Sequence, residues 1–387
     1  MNSRKRILVF IDWYKPGFKA GGPIQSCANL VEHLSPYFEF YIVTRDTDYC
    51  ETEPYASVVS NTWNKLNNGE QVYYISQNCL SAATIKKLCN ETHCDTAYIN
   101  GVYSFYFSLL PLYYLKGKKT VKLLVAARGM LAQSAINIKA NKKKIFLWFA
   151  KKFGFFTRVT FQASTVDEQA AISLALGKET KIVLAENFSK KVKATTLPAK
   201  TKEKGTLRLV NIARIAPEKN LLYAISILRH VKSNVIFDFY GPIYDKAYFD
   251  KCCELIASLP QNITVTYKQS IESDKVNETL QHYHCLFLPT QGENFGHIIL
   301  ESFTAGCPVI ISDKTPWKNL EALNIGFAQS LSNTASFVEA IENMAALNQE
   351  QYILWSKSAF DFGVQHTSNP EILKQNLTLF NYKQEHE

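Results

Sequence analysis

The stretch LRLVNIARIAPEKNLLYAISILRHVKSNVIFDFYG, residues 207–241, holds two short apolar runs separated by a segment of helical period. The first run, LRLVNIA, and the last, NVIFDFYG, are rich in the branched and aromatic residues that fill buried strands. The segment NLLYAISILRHV between them is long enough for a helix. This order predicts two parallel strands joined by a crossover helix.

The same alternation extends along the chain in both directions. Strand-like runs before this stretch are RILVFI, FEFYIVT, TAYIN, VKLLVAA, RVTFQAS and KIVLAEN, and those after it are ITVTY, CLFLPT and CPVIIS. The polar residues 189–206, SKKVKATTLPAKTKEKGT, interrupt the pattern and read as a linker. We therefore predict an α/β protein with two Rossmann-like, doubly wound parallel sheets facing a cleft, in domains 1–188 and 207–369.

Composition indicates a globular protein of a reducing compartment. The chain has 387 residues, of which 47% are hydrophobic, enough for sizeable cores. Its nine cysteines form no CxxC pair and lie mostly in apolar runs, which predicts free thiols rather than a metal or redox site. The segment MNSRKRILVFIDWY leads directly into a strand-like run without the features of a secretion signal. We therefore expect a cytoplasmic protein.

The positive charge is concentrated in the first half of the chain. Residues 1–190 contain 24 Lys and Arg against 14 Asp and Glu, and no acidic residue separates Asp95 from Asp167, so an anionic partner is expected. Residues 136–158, INIKANKKKIFLWFAKKFGFFTR, place lysines beside aromatic residues. This composition suits peripheral attachment to an anionic membrane surface. A packed helix with one solvated basic face is the alternative.

The loops that follow the predicted strands are where a doubly wound domain binds its ligand. Gly21 and Gly22 precede Pro23, which suits the first position of a helix, so backbone N–H groups there can approach an anion. Arg214 and Lys219 follow the strand LRLVNIA. A planar guanidinium and a mobile ammonium at one strand end suit a diphosphate.

The segment QGENFGHIILESFTAGCP, residues 291–308, places Glu293 and Glu301 around a turn and a short apolar helix. The start of this helix offers the N–H groups of Asn294, Phe295 and Gly296 to phosphate oxygens. The two carboxylates can accept hydroxyl protons from two sugars, one at each end of a diphosphate. Glu301 is flanked by apolar residues, where an unpaired carboxylate would be costly to bury.

The set GGPIQS, ARGM, FQASTVDEQ, NIARIAPEKN, GENFGHIILE and GCPVIISDKTPW resembles the bacterial family 4 glycosyltransferases of the GT-B fold, in particular members associated with capsule, O-antigen and exopolysaccharide assembly. The resemblance spans nearly the whole chain. It implies a retaining hexosyltransferase that uses a nucleotide-diphosphate sugar and requires no metal or other cofactor. It also implies a saccharide or lipid-linked saccharide acceptor, and a terminal segment 370–387 that crosses back to the first domain.

The resemblance implies specific roles for these residues. Gly21 and Gly22 would approach the donor phosphates, and Arg214 and Lys219 would neutralise the diphosphate. Glu293 would contact the donor sugar and act with the two cations in catalysis, and Glu301 would hold the ribose hydroxyls. The backbone of Asn294, Phe295 and Gly296 would hold sugar and phosphate. The segment from Lys268 to Ile271 would pack near the base.

The chain departs from the family pattern in the first domain. Arg128-Gly129 stands where many relatives have His-Gly, and Glu186-Asn187-Phe188 stands where relatives have Asn-Gly. We place Arg128 and Gly129 on the acceptor side with Asp12, which would be the candidate base, like Asp46, if the reaction were inverting. Asp46-Thr47-Asp48 resembles a metal-binding DxD triplet, but its position in the first domain favours a solvated loop.

Two other functions remain open from the sequence. The basic first domain could bind nucleic acid or another acidic polymer without catalysis, although no nucleic-acid motif supports this. A sugar-nucleotide epimerase of the same fold would consume the donor without an acceptor.

Overall fold

The computed structural model describes residues 4–137, 140–191 and 196–382. The chain divides into two compact units. Unit 1 comprises Met1–Phe188 and Pro370–Glu387, and unit 2 comprises Ser189–Asn369. Three parts of the sequence predictions lie outside the described residues: 138–139 of the basic stretch, 192–195 of the linker and 383–387 of the terminal segment.

Unit 1 contains an eight-stranded sheet. Its strands are β1 (Arg6–Phe10), β2 (Glu39–Arg45), β3 (Trp63–Lys65), β4 (Gln71–Ile75), β5 (Thr96–Asn100), β6 (Lys122–Ala126), β7 (Val159–Ala163) and β8 (Lys181–Leu184). The strand order is β3-β4-β2-β1-β5-β6-β7-β8. β3 pairs with β4 in the antiparallel sense, whereas the other neighbouring strands are parallel.

Helices cover both faces of this sheet. They are α1 (Gly22–Leu34), α2 (Ala82–Glu91), α3 (Leu110–Leu115), α4 (Gln133–Asn137), α5 (Ala140–Lys152) and α6 (Val166–Leu176), with a π-helical turn at Phe105–Leu109 before α3. Leu8 and Phe10 of β1 pack on the face covered by α2, α3, α5 and α6, whereas Ile7 and Val9 pack on the face covered by α1. Alternate residues of one strand thus enter two cores, which explains its continuous apolar sequence.

Unit 2 contains a six-stranded parallel sheet. Its strands are β9 (Thr206–Ile212), β10 (Asn234–Tyr240), β11 (Ile263–Tyr267), β12 (Cys285–Leu288), β13 (Val309–Ser312) and β14 (Gly326–Gln329), in the order β11-β10-β9-β12-β13-β14. The order reverses between β9 and β12, so the loops after these two strands flank the switch point of the sheet. The prediction of two parallel α/β sheets is confirmed.

The helices of unit 2 are α7 (Leu221–Leu228), α8 (Lys246–Ile256), α9 (Val276–Leu280), α10 (His297–Thr304), α11 (Thr334–Ala346) and α12 (Gln349–Thr367). α7, α8 and α11 pack on one face of the sheet, and α9 and α10 pack on the other. The last helix, α13 (Pro370–Leu379), returns to unit 1, where Ile372 and Leu379 join the core that contains α1.

The sequence patterns did not predict β3, β4 or β14. All nine cysteines are free thiols, as expected, and six of them are buried. Within the described part of the chain, no helix is both long enough and apolar enough to cross a membrane.

Candidate active site

The centre of the candidate site is an ion pair between Lys219 and Glu293. Lys219 lies in the loop after β9, and Glu293 lies in the loop after the neighbouring strand β12. The Lys219 Nζ and Glu293 Oε1 atoms are 2.5 Å apart, and the side chains are only 19% and 13% exposed. The structure therefore brings together two residues that the sequence separates by 74 positions.

Hydrogen bonds fix the two loops to each other. The carbonyl of Glu218 accepts the N–H of Gln291 at 3.0 Å and the hydroxyl of Thr290 at 3.2 Å. The side-chain amide of Asn220 donates to the carbonyl of Pro289 at 2.9 Å. Because these bonds use backbone groups on both sides of the pair, the position of Lys219 depends little on the flexibility of its own loop.

Arg214 lies between an aromatic ring and a carboxylate. Its guanidinium carbon is 4.9 Å from the ring centroid of Tyr244, and its Nη2 atom is 3.4 Å from Glu218 Oε1. Tyr244 belongs to the loop after β10, where its N–H donates to the carbonyl of Ile215 at 3.1 Å. Gly241 permits this contact between loops, since a Cβ atom there would lie 1.8 Å from the carbonyl oxygen of Ala213.

The start of α10 presents backbone donors beside the ion pair. Gly296 precedes the helix with φ +79°, a left-handed conformation that favours glycine. The indole N–H of Trp317 donates to the carbonyl of Phe295 at 2.6 Å and so fixes the turn. Among the described residues, the N–H groups of Phe295 and Gly296 have no hydrogen-bond acceptor. Together with the helix dipole, they form a region of positive potential.

The other predicted donor residues of unit 2 lie on the same face of the sheet. Glu301 is in the second turn of α10 and is partly buried, eight positions after Glu293. Ile271, in the loop after β11, packs against the core on this face together with Tyr240 and Ile298. Trp317 packs against Phe303, with ring centroids 5.6 Å apart.

The predicted glycine loop is in unit 1. Gly21 has φ +72°, a value that favours glycine, and α1 begins at Gly22, one residue before Pro23. A carboxylate holds the preceding loop, because Asp48 accepts the N–H groups of Phe18 at 3.0 Å and Lys19 at 3.2 Å.

The structure corrects the prediction that Asp46-Thr47-Asp48 is a solvated loop. Asp46 and Asp48 are both buried. Asp46 accepts a hydrogen bond from the hydroxyl of Ser60 at 2.7 Å. No group of three or more potential metal ligands occurs among the residues that the structure describes. The two aspartates therefore stabilise loops of unit 1.

Asp12 lies at the carboxyl edge of the first sheet, directly after β1. Its carboxylate accepts the hydroxyl of Ser104 at 2.8 Å and lies 3.7 Å from Nη2 of Arg45. Burial raises the pKa of Asp12, although the hydrogen bond from Ser104 and the charge of Arg45 act in the opposite direction. The guanidinium of Arg45 also lies 5.2 Å from the ring of Phe107.

Arg128 and Asn187, which mark the two departures of the sequence from the family pattern, contact each other. Arg128, with φ +52°, donates to Asn187, to the side-chain carbonyl of Asn100 at 2.6 Å and to the hydroxyl of Tyr98 at 2.7 Å. The N–H of Gly129 donates to Glu168 at 2.6 Å. The guanidinium of Arg128 thus holds strand ends of unit 1 together, and its place on the acceptor side stays a prediction.

A cavity of about 640 Å³ lies at the opposite edge of the unit 2 sheet. His284 lines it, and burial lowers the pKa of this imidazole to about 4. Both ring nitrogens have partners, because Nδ1 accepts the N–H of Arg208 at 3.0 Å and Nε2 faces the carbonyl of Thr201 at 2.9 Å. Lys202, also in the lining, donates to backbone carbonyls at the end of α11. These satisfied groups at the amino ends of the strands have structural roles, so the cavity is not the candidate site.

Residues 193–359 match the family model for glycosyl transferases group 1. Unit 2 therefore contains a glycosyltransferase group 1 domain. No curated protein has a matching sequence.

Solved structures extend the similarity to the whole chain. The sucrose-phosphate synthase of Thermosynechococcus elongatus has a TM-score of 0.70 at 14% identity, with 98% of each chain covered. HepE of Anabaena, solved with UDP and glucose, has a TM-score of 0.69 at 13% identity, covering 98% of this chain and 99% of its own. WaaG, described as a glycosyltransferase involved in lipopolysaccharide biosynthesis, has a TM-score of 0.65 at 12% identity, covering 96% and 98%. The chain has the GT-B fold, and its second unit carries the glycosyltransferase group 1 domain.

The sequence did not reveal the roles of three residues that position loops: Tyr244 and Glu218 in unit 2, and Asp48 in unit 1. Tyr244 follows a strand, so the rule that ligand residues follow strand ends could have found it. Asp48 was read as part of a possible metal triplet. The role of Glu218 depends on its backbone carbonyl, which carries no signal in the sequence.

Proposed function

We propose that this glycosyltransferase moves a hexosyl group from a nucleoside diphosphate sugar to a saccharide acceptor, with retention and without a metal ion. The observation that carries the proposal is the Lys219–Glu293 pair, 2.5 Å long, beside the unbonded N–H groups at the start of α10. An ammonium and a carboxylate from neighbouring loops, together with a helix dipole, match a diphosphate joined to a polyhydroxyl group.

The proposed donor site lies along α10. The diphosphate would bind Lys219, Arg214 and the N–H groups of Asn294, Phe295 and Gly296. Glu293 would accept hydroxyl protons of the transferred sugar, and Glu301 would accept those of the ribose. The base would lie near Ile271. Gly21 and Gly22 of unit 1 remain predicted phosphate contacts.

The proposed chemistry needs cations rather than a protein base. The bond between the sugar C1 and the diphosphate oxygen breaks, and its electron pair leaves with the diphosphate. An acceptor hydroxyl oxygen forms the new bond to C1 on the same face, and its proton passes to the departing phosphate oxygen. Lys219 and Arg214 stabilise the charge that grows on the leaving group, usually the largest contribution to such catalysis.

The proposed nucleotide is UDP, with GDP as the alternative. HepE of Anabaena, which shares the fold, was solved with UDP and glucose. Ile271, Tyr240 and Ile298 are partly buried against the same core of unit 2. Such a surface can pack against a flat base, while the surrounding backbone decides between pyrimidine and purine.

The proposed acceptor is a lipid-linked saccharide of bacterial surface polysaccharide synthesis, bound by unit 1. Asp12 is the residue best placed to contact it, at the edge where β1 and β5 end. Arg128 and Gly129 are proposed to lie on the acceptor side at the same edge, where Arg128 also donates to Asn100 and Tyr98. A lipid-linked acceptor implies that the enzyme works while peripherally attached to the cytoplasmic face of a membrane.

Thermal shift with a panel of UDP-, GDP-, ADP- and CMP-sugars tests the donor site. We expect a selective rise in melting temperature with a UDP-sugar, and the loss of that rise in Arg214→Ala and Glu301→Ala. The matched controls are Arg229→Ala and Glu321→Ala, which change exposed residues of the same unit. The absence of any shift, or equal shifts in all four variants, would contradict the assignment. Donor consumption without acceptor, yielding an epimerised sugar nucleotide, would instead identify an epimerase.

A further inference from the structure

The outer surface of two neighbouring helices in unit 1 carries exposed aromatic residues among lysines. On the π-helical turn and α3, Phe105 is 56% exposed and Tyr113 is 68% exposed. On α5, the exposed fractions are 57% for Ile145, 55% for Trp148 and 48% for Phe149, and Phe153, directly after α5, is 69% exposed. We call these six residues the two-helix aromatic surface. A soluble domain rarely leaves so many large apolar side chains together in water.

α5 has two apolar stripes, which a helix that packs on one side does not need. Leu147 and Ala150 are buried and face the core of unit 1. Ile145, Trp148, Phe149 and Phe153 follow the spacing i, i+3, i+4 and i+8, which places them on one stripe of the outward side. The rings of Phe149 and Phe153 stack in parallel, with centroids 6.0 Å apart. The outer stripe is therefore a second, unpartnered apolar face.

Two contacts link the segment that contains α3 to α5. Before α3, the ring of Tyr103 contacts Phe146 in the middle of α5, with centroids 5.6 Å apart. After α3, the ammonium of Lys116 donates to the carbonyl of Gly154, just beyond the end of α5. These contacts fix the α3 segment to α5 at two points.

The charge of these elements is exclusively positive. Residues 96–166 contain twelve Lys and Arg and no Asp or Glu. Lys142, Lys144, Lys151 and Lys152 are exposed on α5 itself, beside the aromatic stripe. Long lysine side chains can keep their ammonium groups at phosphate level while aromatic rings enter the apolar layer. Rings surrounded by cations complement an anionic lipid headgroup layer more closely than they complement a protein partner.

The surface adjoins the edge of the sheet where the proposed acceptor residue lies. Phe105 follows Ser104, whose hydroxyl donates to the carboxylate of Asp12 at 2.8 Å. An acceptor anchored in a membrane by its lipid would therefore reach Asp12 at the rim of the same surface.

We infer that the two-helix aromatic surface docks unit 1 onto an anionic membrane, with Trp148, Phe149 and Phe153 entering the headgroup layer. This inference rests on the proposed function only for the identity of the acceptor. The membrane contact itself follows from the exposed rings and the surrounding lysines.

Vesicle sedimentation of the full chain tests the inference. We expect binding to phosphatidylglycerol-containing vesicles at low salt, weaker binding as salt increases, and little binding to pure phosphatidylcholine. Trp148→Ala and Phe149→Ala should each weaken binding roughly tenfold, since each removes a large apolar side chain from the interface. Lys151→Gln and Lys152→Gln should each weaken it roughly fivefold. The matched controls Leu174→Ala and Lys178→Gln, on or beside α6, should bind as the unaltered chain does.

A second readout separates insertion from mere attraction. Lipids brominated near the headgroup should quench the fluorescence of Trp148. Trp148→Phe should keep vesicle binding but lose most of the quenching. Absence of binding at low salt, or binding that no substitution in the surface weakens, would overturn the inference. So would a dimer in sedimentation equilibrium that Trp148→Ala dissociates, because a second copy would then cover the surface.

The donor site provides the check on the proposed function. Thermal shift by UDP-sugar depends on residues of unit 2, so these surface variants should retain it. Vesicle binding without any nucleotide effect would leave the docking surface standing and remove the proposed donor. A nucleotide effect without vesicle binding would support the proposed donor site and overturn the docking surface.

Discussion

Lys219 and Glu293 depend on each other for stability as well as for the proposed chemistry. Each side chain is largely buried, and each neutralises the other at 2.5 Å. Removal of one partner leaves an uncompensated charge in a poorly solvated place, which costs more than the pair itself contributes. The two roles can therefore be separated by comparing single with double substitutions.

We predict that Lys219→Ala lowers the free energy of unfolding by about 2 kcal/mol, because Glu293 then stays buried without a counter-ion. The double variant Lys219→Met with Glu293→Gln should recover most of that loss, since it leaves no charge. Donor binding should be lost in both. Urea denaturation measures the free energy of unfolding, and the nucleotide thermal shift measures donor binding. Recovery of donor binding in the double variant would show that the pair is structural only.

Arg128 shows which contacts of a predicted site residue the sequence does not reveal. Its place in the loop after β6 matches that of a family histidine, so sequence reasoning put it on the acceptor side. The structure shows hydrogen bonds to Asn100, Tyr98 and Asn187. Two of these partners lie in β5 and the third follows β8, so the spacing of residues along the chain could not reveal that they meet at Arg128.

At the scale of elements, α10 shows which features the sequence could predict. A buried strand, a Gly-containing turn and a short apolar helix were all visible in residues 285–304, and each is present. The structure shows why glycine stands at position 296, because φ is +79° and an added Cβ would lie 2.9 Å from Cδ1 of Ile299.

We predict that Gly296→Ala destabilises the protein by about 1–2 kcal/mol, the cost of a left-handed conformation for an L-residue with a side chain. It should also weaken UDP-sugar binding, because relaxation of the strain turns the N–H groups at the start of α10 away from the phosphates. Gly292→Ala is the matched control, since an added Cβ there meets no atom within 4 Å. Gly296→Ala should lower the melting temperature and reduce the nucleotide-induced shift. Gly292→Ala should change neither. Unchanged donor binding in Gly296→Ala would remove the start of α10 from the site.

Strands with mixed composition were the elements that the sequence did not reveal. β4, QVYYI, lies between β2 and β3, but it is a five-residue run within a long polar region. β14, GFAQ, is a four-residue edge strand that begins with glycine. Both form because a neighbouring parallel strand offers hydrogen-bond partners. This stabilisation comes from tertiary structure, so local propensity is a weak guide to it.

At the scale of the whole molecule, the charge and the proposed chemistry are distributed over different units. The basic excess and the two-helix aromatic surface belong to unit 1, whereas the glycosyltransferase group 1 match and the Lys219–Glu293 pair belong to unit 2. The alternation of strands and helices was sufficient to predict two parallel sheets. It could not show which surface of unit 1 stays uncovered, because buried and exposed aromatic residues are interleaved along α5.

Helix α13 and Phe380, which follow unit 2 in the sequence, pack into the core of unit 1. Asn376 of α13 is buried and donates to the carbonyl of Glu186 at 2.9 Å. Phe380 is buried against Phe38 and Tyr98, with ring centroids 5.6 and 5.5 Å apart. Three apolar side chains of this segment complete the core beside α1: Ile372, Leu379 and Phe380.

We predict that truncation after Asn369 unfolds unit 1 and leaves unit 2 folded. Each of the three buried side chains contributes about 1.5–3 kcal/mol, and their sum is comparable to the whole stability of a domain. Hydrogen exchange should therefore show lost protection in β1, β2 and β5 but retained protection in β9, β10 and β12. Truncation after Tyr382 is the control, because every contact named for α13 and Phe380 remains. If unit 2 loses protection as well, the two units fold as one cooperative body and the terminal helix stabilises both.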